Sequence, residues 1–198
     1  MFRSTTPSKQ DYSHPKNSIM TKYIAFLRGI NVGGHHKVPM AELRKEMGEM
    51  GFANIITLLN SGNVIFEGPA TQESTLEDKI AAHLEKNFGF PIPVLVRTAG
   101  DMHTLLDDEP FREVNVTKDI RLYVSFIKEE PQKNLAIPWV SDDGAYHIIQ
   151  VKDRVICSVV DLRSTQTTKA MAMLEQHFGK NITTRNWNTI GKIGKKLN

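Results

Sequence analysis

Two short segments carry the residue types that hold anions: Arg28-Gly29-Ile30-Asn31-Val32-Gly33-Gly34-His35-His36-Lys37 and Asn60-Ser61-Gly62-Asn63. Glycines let backbone N–H groups approach a ligand closely, a guanidinium grips two oxygens of a phosphate or carboxylate, and an ammonium adds a point charge. Arg28, Asn31, Gly33, Gly34 and Lys37 are therefore candidate ligand-binding residues, with Ser61 and Asn63 fixing orientation. Residues of these types also build plain chain reversals, so either segment taken alone reads equally as a turn. Neither spells a named nucleotide motif. Gly29-x-x-x-Gly33-Gly34 followed by Lys37 is neither the phosphate loop nor the dinucleotide fingerprint. A third segment, Thr183 to Thr189, adds Arg185, Asn186 and Trp187 as a second binding edge, with Trp187 stacking on a ring or packing at the start of a helix.

Other chemistries find less support. His35 and His36 are adjacent and have no further histidine at ligand spacing, so no metal site is expected. Ser61 lies outside any nucleophile elbow, and Ser164-Thr165 reads as a helix N-cap region. Cys157 sits within Val155-Ile156-Cys157-Ser158-Val159-Val160, where an inert buried thiol is expected. No sequence feature points to a particular cofactor or catalytic residue.

The elements that must position these residues follow from hydrophobic spacing. Tyr23 to Leu27 is apolar without alternation, as in a strand buried on both faces. Pro39 suits a helix start; Met40, Leu43, Met47 and Met50 then recur at helical spacing until Gly51. Ile55 to Leu59 and Val64 to Phe66 read as a hairpin joined by Asn60 to Asn63. Ser74-Thr75-Leu76-Glu77 reads as a capping box ahead of a helix carrying Leu76, Ile80, Leu84 and Phe88 on one face. Val94 to Arg97 is the next strand, and Thr98 to Glu109 reads as a connector ending in solvated acids.

The second part reads in the same order. Ile120 to Ile127 is a strand, Pro131 to Ile137 a short helix, Tyr146 to Val151 and Val155 to Val160 a hairpin, Lys169 to Phe178 a helix before Ile182. Lys79 to Gly89 matches Lys169 to Gly179 at six of eleven positions, as an internal duplication requires. The expectation is an α+β fold of two ferredoxin-like (split βαβ) halves, residues 20–99 and 100–198, the second ending in a helix with Ile190, Ile193 and Leu197 inward. In a split βαβ unit the first two strands are parallel, so the segments at 28–37 and 60–63 leave the same end of the sheet.

The chain has 198 residues, with 40% hydrophobic and 24% charged, enough to bury a core in one domain or two small ones. Residues 1–19 lack an apolar leader core and read as a disordered tail; with Arg3, Lys9, Lys16 and Asp11 it holds +2 of the formal +3. The remaining +1 is too small to imply nucleic acid by charge. One cysteine excludes an internal disulfide and suits a reducing cytoplasm. Apolar runs of about five or six residues fall far short of the roughly 20 a membrane helix needs.

Three stretches together, Tyr23-Ile24-Ala25-Phe26-Leu27-Arg28-Gly29-Ile30-Asn31-Val32-Gly33-Gly34, Ser61-Gly62-Asn63-Val64-Ile65-Phe66 and Thr184-Arg185-Asn186-Trp187-Asn188-Thr189, resemble the domain-of-unknown-function family 1697 of bacterial proteins. The resemblance runs from Met20 onward. It implies an α+β fold of two similar halves and assigns neither an activity nor catalytic residues.

The function expected from the residues is binding of a small anionic, phosphate- or nucleotide-like ligand by a cytosolic protein, at the rim formed by 28–37 and 60–63; whether it is an enzyme stays open. Two rivals remain: single-stranded nucleic acid stacking on Tyr23, Phe26 and Phe66 of the sheet, and a protein-interaction adaptor using the rim and the basic C-terminus. Oligomeric state is open. Spatial convergence of Arg28, Asn63 and Arg185 to Trp187 is the observation that separates a site from three independent turns.

Overall fold

The computed structural model describes residues 19–131 and 135–197. The first sheet contains β1 (Met20–Leu27), β2 (Ala53–Leu58), β3 (Asn63–Pro69) and β4 (Val94–Thr98), with α1 (Met40–Glu49) between β1 and β2 and α2 (Glu73–Phe88) between β3 and β4. Its order is β2-β3-β1-β4, with every pairing antiparallel. After α3 (Ala99–Asp107), the second sheet contains β5 (Ile120–Ile127), β6 (Trp139–Val140), β7 (Tyr146–Lys152), β8 (Val155–Asp161) and β9 (Ile182–Asn186), ordered β6-β7-β8-β5-β9. Helix α4 (Thr167–Phe178) joins β8 to β9, and α5 (Trp187–Leu197) follows. No described helix is long and apolar enough to cross a membrane. Most of the N-terminal tail inferred for residues 1–19 lies outside the described residues, of which Ile19 is the first.

Strand alternation stacks the layers. Tyr23, Ala25 and Leu27 face a core shared with α1 and α2, whereas Ile24 and Phe26 face a second core. That second core is shared by the two sheets. Leu122, Val124, Phe126 and Cys157 meet Ile24, Phe26, Ile65 and Leu95 there, joined by Met102 of α3 and by Ile190, Ile193 and Leu197 of α5. The Phe26 and Phe126 rings stack 4.2 Å apart across it. A third core lies between the other face of the second sheet and α4. Because β1 is covered on both faces, Tyr23, Phe26 and Phe66 are at most 2% exposed, and no base can stack on them in this fold.

Several elements differ from their sequence reading, each for a tertiary reason. The capping box read at Ser74 to Glu77 does not form: α2 starts after Gln72 with no side-chain cap. Glu77 instead accepts the Val96 N–H at 2.9 Å and Glu73 the Thr98 N–H at 3.2 Å. Four helical residues rise about 6 Å and two strand residues about 6.6 Å, so carboxylates at i and i+4 can cover alternate free amides of edge strand β4. The connector read at 98–109 is largely α3. Its true box has the Asp101 N–H donating to Thr98 Oγ1 at 3.1 Å while Asp101 Oδ2 accepts the Thr98 N–H at 2.9 Å. Around the helix read at 131–137, Pro131 and residues 135–137 are non-helical, and residues 132–134 lie outside the described residues. Ser164-Thr165 does not cap α4, whose N-cap is Gln166 without a side-chain bond.

The repeated helix segments end alike. Gly89 and Gly179 both take positive φ, and each donates its N–H at 2.8 Å to the carbonyl four residues back, on Glu85 and Glu175. Cys157 is fully buried, and desolvation pushes its thiol up to about 12. It should stay unlabelled by a thiol reagent at pH 8 in the native protein and react stoichiometrically once urea unfolds the chain; labelling of the native protein at the rate of a free thiol would refute this placement.

Candidate functional site

The loop after β1 is closed at its base by one side chain. Asn31, at φ 56°, accepts the Val38 N–H at 2.8 Å and donates to the carbonyls of Val38 at 3.0 Å and Asn60 at 2.9 Å. It thereby clips the loop to the neighbouring hairpin. Beyond it Val32 and His35 form a bridge, with Gly33 and Gly34 in left-handed conformation at an open tip. His36 stacks on Phe90 at 4.5 Å, and Lys37 is exposed. In the hairpin, Gly62 has φ 72° and a Cβ there would lie 2.7 Å from the Cβ of Leu27, so both its conformation and its neighbours require glycine.

Arg185 of β9 ties the two sheets together. Its Nε donates to Asn63 Oδ1 at 2.6 Å, Nη1 to Thr183 Oγ1 at 2.8 Å and the Thr184 carbonyl at 2.9 Å, and Nη2 to the carbonyls of Leu27 at 2.7 Å and Ser61 at 3.2 Å. The guanidinium also lies 5.6 Å from the centre of the Phe26 ring. Asn63 is itself buried and donates to Leu58 O and Ser61 Oγ, both at 3.0 Å. Every donor of Arg185 is thus occupied by protein. Arg185 is 9% exposed, and desolvation lowers its pKa to about 10. Among the described residues no carboxylate lies within 4.0 Å of it.

These contacts border a cavity of about 230 Å³ between the loop after β1 with its neighbouring hairpin and α4 with β9, lined in part by Arg28, Val32, Ser61, Glu175, Thr183 and Arg185. Arg28 is about a third exposed, and its guanidinium donates to the Glu175 carboxylate and the Lys180 carbonyl. Of the sequence candidates, Arg28, Ser61 and Arg185 meet at this cavity, Asn63 stands behind Arg185, and Asn31 braces the loop. Gly33, Gly34 and Lys37 do not border it. Neither do the next two residues of β9 and α5: Asn186 Oδ1 accepts the Asn188 N–H at 2.9 Å, and Trp187 packs edge-on against Phe111 at 5.1 Å in the inter-sheet core. Strand alternation sends 185 and 186 to opposite faces.

Glu175 and Thr183 were not singled out by the sequence. Glu175 sits in the repeated helix, 147 residues from Arg28, and no local spacing relates the two. One group of described residues can hold a metal ion: Glu46 and Glu49 of α1 with His83 of α2, their ligating atoms all within 4.8 Å. Glu46 already meets His83 at 2.9 Å and Glu49 meets Lys45 at 3.3 Å, away from the residues of the cavity.

The conserved bacterial protein SP0830 from Streptococcus pneumoniae has a solved structure similar to this one, with a TM-score of 0.70 and 25% identity, over 91% of this chain and 100% of that one. No curated protein matches the chain. The family model described as protein of unknown function DUF1697 matches residues 20–156, a span that includes the Arg28 loop, the Ser61 to Asn63 hairpin and the whole first sheet, and the chain belongs to that family.

Proposed function

We propose that the cavity beside Arg28 and Arg185 binds a small anion, a phosphate or a phosphate ester, with Arg28 as the contact that grips it. The observation that carries this reading is the pairing of a partly exposed guanidinium with a second, buried one that has no acidic partner among the described residues, both bordering one cavity. A buried cation without counter-charge favours an anion in the adjoining space, because the low local dielectric strengthens the attraction. Ser61 and Thr183 border the same cavity, their hydroxyl oxygens already accepting from Asn63 and Arg185. Arg185, with all donors committed, contributes field and shape.

Glu175 competes with the ligand for Arg28. Freeing Arg28 by Glu175→Gln should therefore tighten phosphate binding by about tenfold, the equivalent of one charge-assisted contact, while Arg28→Ala should remove it. Isothermal titration of the wild type and both variants with inorganic phosphate checks this; binding that survives Arg28→Ala unchanged, or a wild type that binds no phosphate at millimolar concentration, sinks the reading.

A further inference from the structure

Away from the anion cavity, we infer that Glu46, Glu49 and His83 form a binding site for a divalent transition-metal ion of the zinc class, which straps α1 to α2. The two carboxylates stand three residues apart in the last turn of α1, on one helix face, and His83 meets them from the neighbouring helix. One ligating atom of each residue lies within 4.8 Å of the other two. A zinc ion that holds ligands at about 2.0–2.1 Å in a tetrahedron sets them about 3.4 Å apart, so a small rotation of the exposed Glu49 side chain completes the set.

The sequence places acid where the helix favours the opposite charge. The C-terminal end of a helix carries the negative end of its dipole and attracts cations, yet the last turn of α1 holds two glutamates and no basic residue. Nearby cations offset them weakly. Lys45 meets Glu49 at 3.3 Å with both side chains more than half exposed, and a lysine four residues ahead of a glutamate is the weaker order of such a pair. Among the described residues no lysine of α2 comes within 4.0 Å of either carboxylate, although Lys79 and Lys86 flank His83 in the sequence. His83 Nε2 already lies 2.9 Å from Glu46 Oε2, in a pair whose side chains are 27% and 13% exposed. With its proton on Nδ1, the neutral imidazole presents the Nε2 lone pair to an ion. One nitrogen beside two carboxylate oxygens suits zinc and its neighbours, whereas magnesium and calcium favour oxygen alone. Three protein ligands leave a fourth position to water.

The test titrates zinc chloride into the full chain by calorimetry. One equivalent should bind with a Kd of about 10 μM or tighter, and His83→Ala and Glu49→Gln should each weaken that equivalent by about tenfold or more. Glu49→Gln changes only an exposed side chain, so its effect is independent of any damage to the fold. His103→Ala, at an exposed histidine of α3, should bind as the wild type does. At about 100 times Kd, zinc should raise the midpoint temperature of the wild type and His103→Ala by about 5–10 °C, and that of the two site variants by less. Magnesium chloride at the same concentrations should do neither. A wild type that takes up no zinc by about 100 μM overturns the inference. So does an equivalent that either site variant retains at full affinity, which assigns the ion to other side chains, and so does magnesium that competes with zinc at equal concentration, which denies the nitrogen ligand.

Discussion

Replacing Arg185 by alanine is expected to destabilise the protein by about 3–5 kcal/mol, the range for breaking a buried charged network. The side chain serves five acceptors, three of which, Asn63 Oδ1, Leu27 O and Ser61 O, belong to the first sheet and its hairpin. Each acceptor left unpaired in the interior costs about 1–3 kcal/mol. Against this stands the relief of a desolvated cation, on the order of 3 kcal/mol from a pKa near 10 in place of 12.5. The acceptors outweigh it, because several lose their partner at once. Arg185→Lys should recover less than half of the loss, since an ammonium cannot reproduce the planar fork. Urea denaturation gives the comparison; an alanine variant within 1 kcal/mol of the wild type would show that the sheets are held by apolar packing alone. For a chain of this size the midpoint temperature should fall on the order of 10 °C.

The second large effect is expected at Arg97, 1% exposed at the other end of the inter-sheet contact. Its Nη2 donates to the carbonyls of Ile127 at 2.6 Å and Arg154 at 3.3 Å, which ties β4 to the turn between β7 and β8 and to the end of β5. Its charge stands 3.7 Å from both Glu73 and Glu77, and its guanidinium lies 5.6 Å from the centre of the Phe126 ring. Arg97→Ala leaves two carboxylates with less counter-charge, and a loss of about 3–5 kcal/mol is expected near neutral pH. The pH dependence gives the assignment its signature. Burial raises the Glu73 carboxyl above its ordinary 4.5 against the lowering effect of Arg154 and Arg97, and removing Arg97 raises it further. A carboxyl raised by folding contributes stability that is fully present below about 4.5 and is lost as pH rises through the folded value. The deficit of Arg97→Ala should therefore shrink as pH falls from 7 toward 4.5. Thermal melts of both proteins across that range measure it, and a deficit that stays flat or grows on acidification contradicts the electrostatic account.

Much of the scaffold was legible in the residues because its signals are local. An unbroken apolar run in Tyr23 to Leu27 marks a strand covered on both sides, and Ile190, Ile193 and Leu197 mark one face of a helix, whatever that face meets. Glycine placement likewise marked the tight hairpin at 62, whereas the positive φ of Gly89 and Gly179 emerged only in the folded chain. Where local logic misled, a distant partner had outbid it: Glu77 was free to cap its own helix but serves the edge of β4.

The amino-acid order by itself marked the strands of the two sheets apart from β6, the five described helices apart from α3, and the polar loops at the ends of β1 and β2. The folded chain alone decided which polar side chains face a ligand space and which are spent on structure. Arg28 and Arg185 are the same residue type, yet one remains partly open beside Glu175 and the other is enclosed with every donor committed. That division depends on how the sheets dock. Docking is set by shape complementarity among side chains over a hundred residues apart, a property that no spacing within one segment encodes.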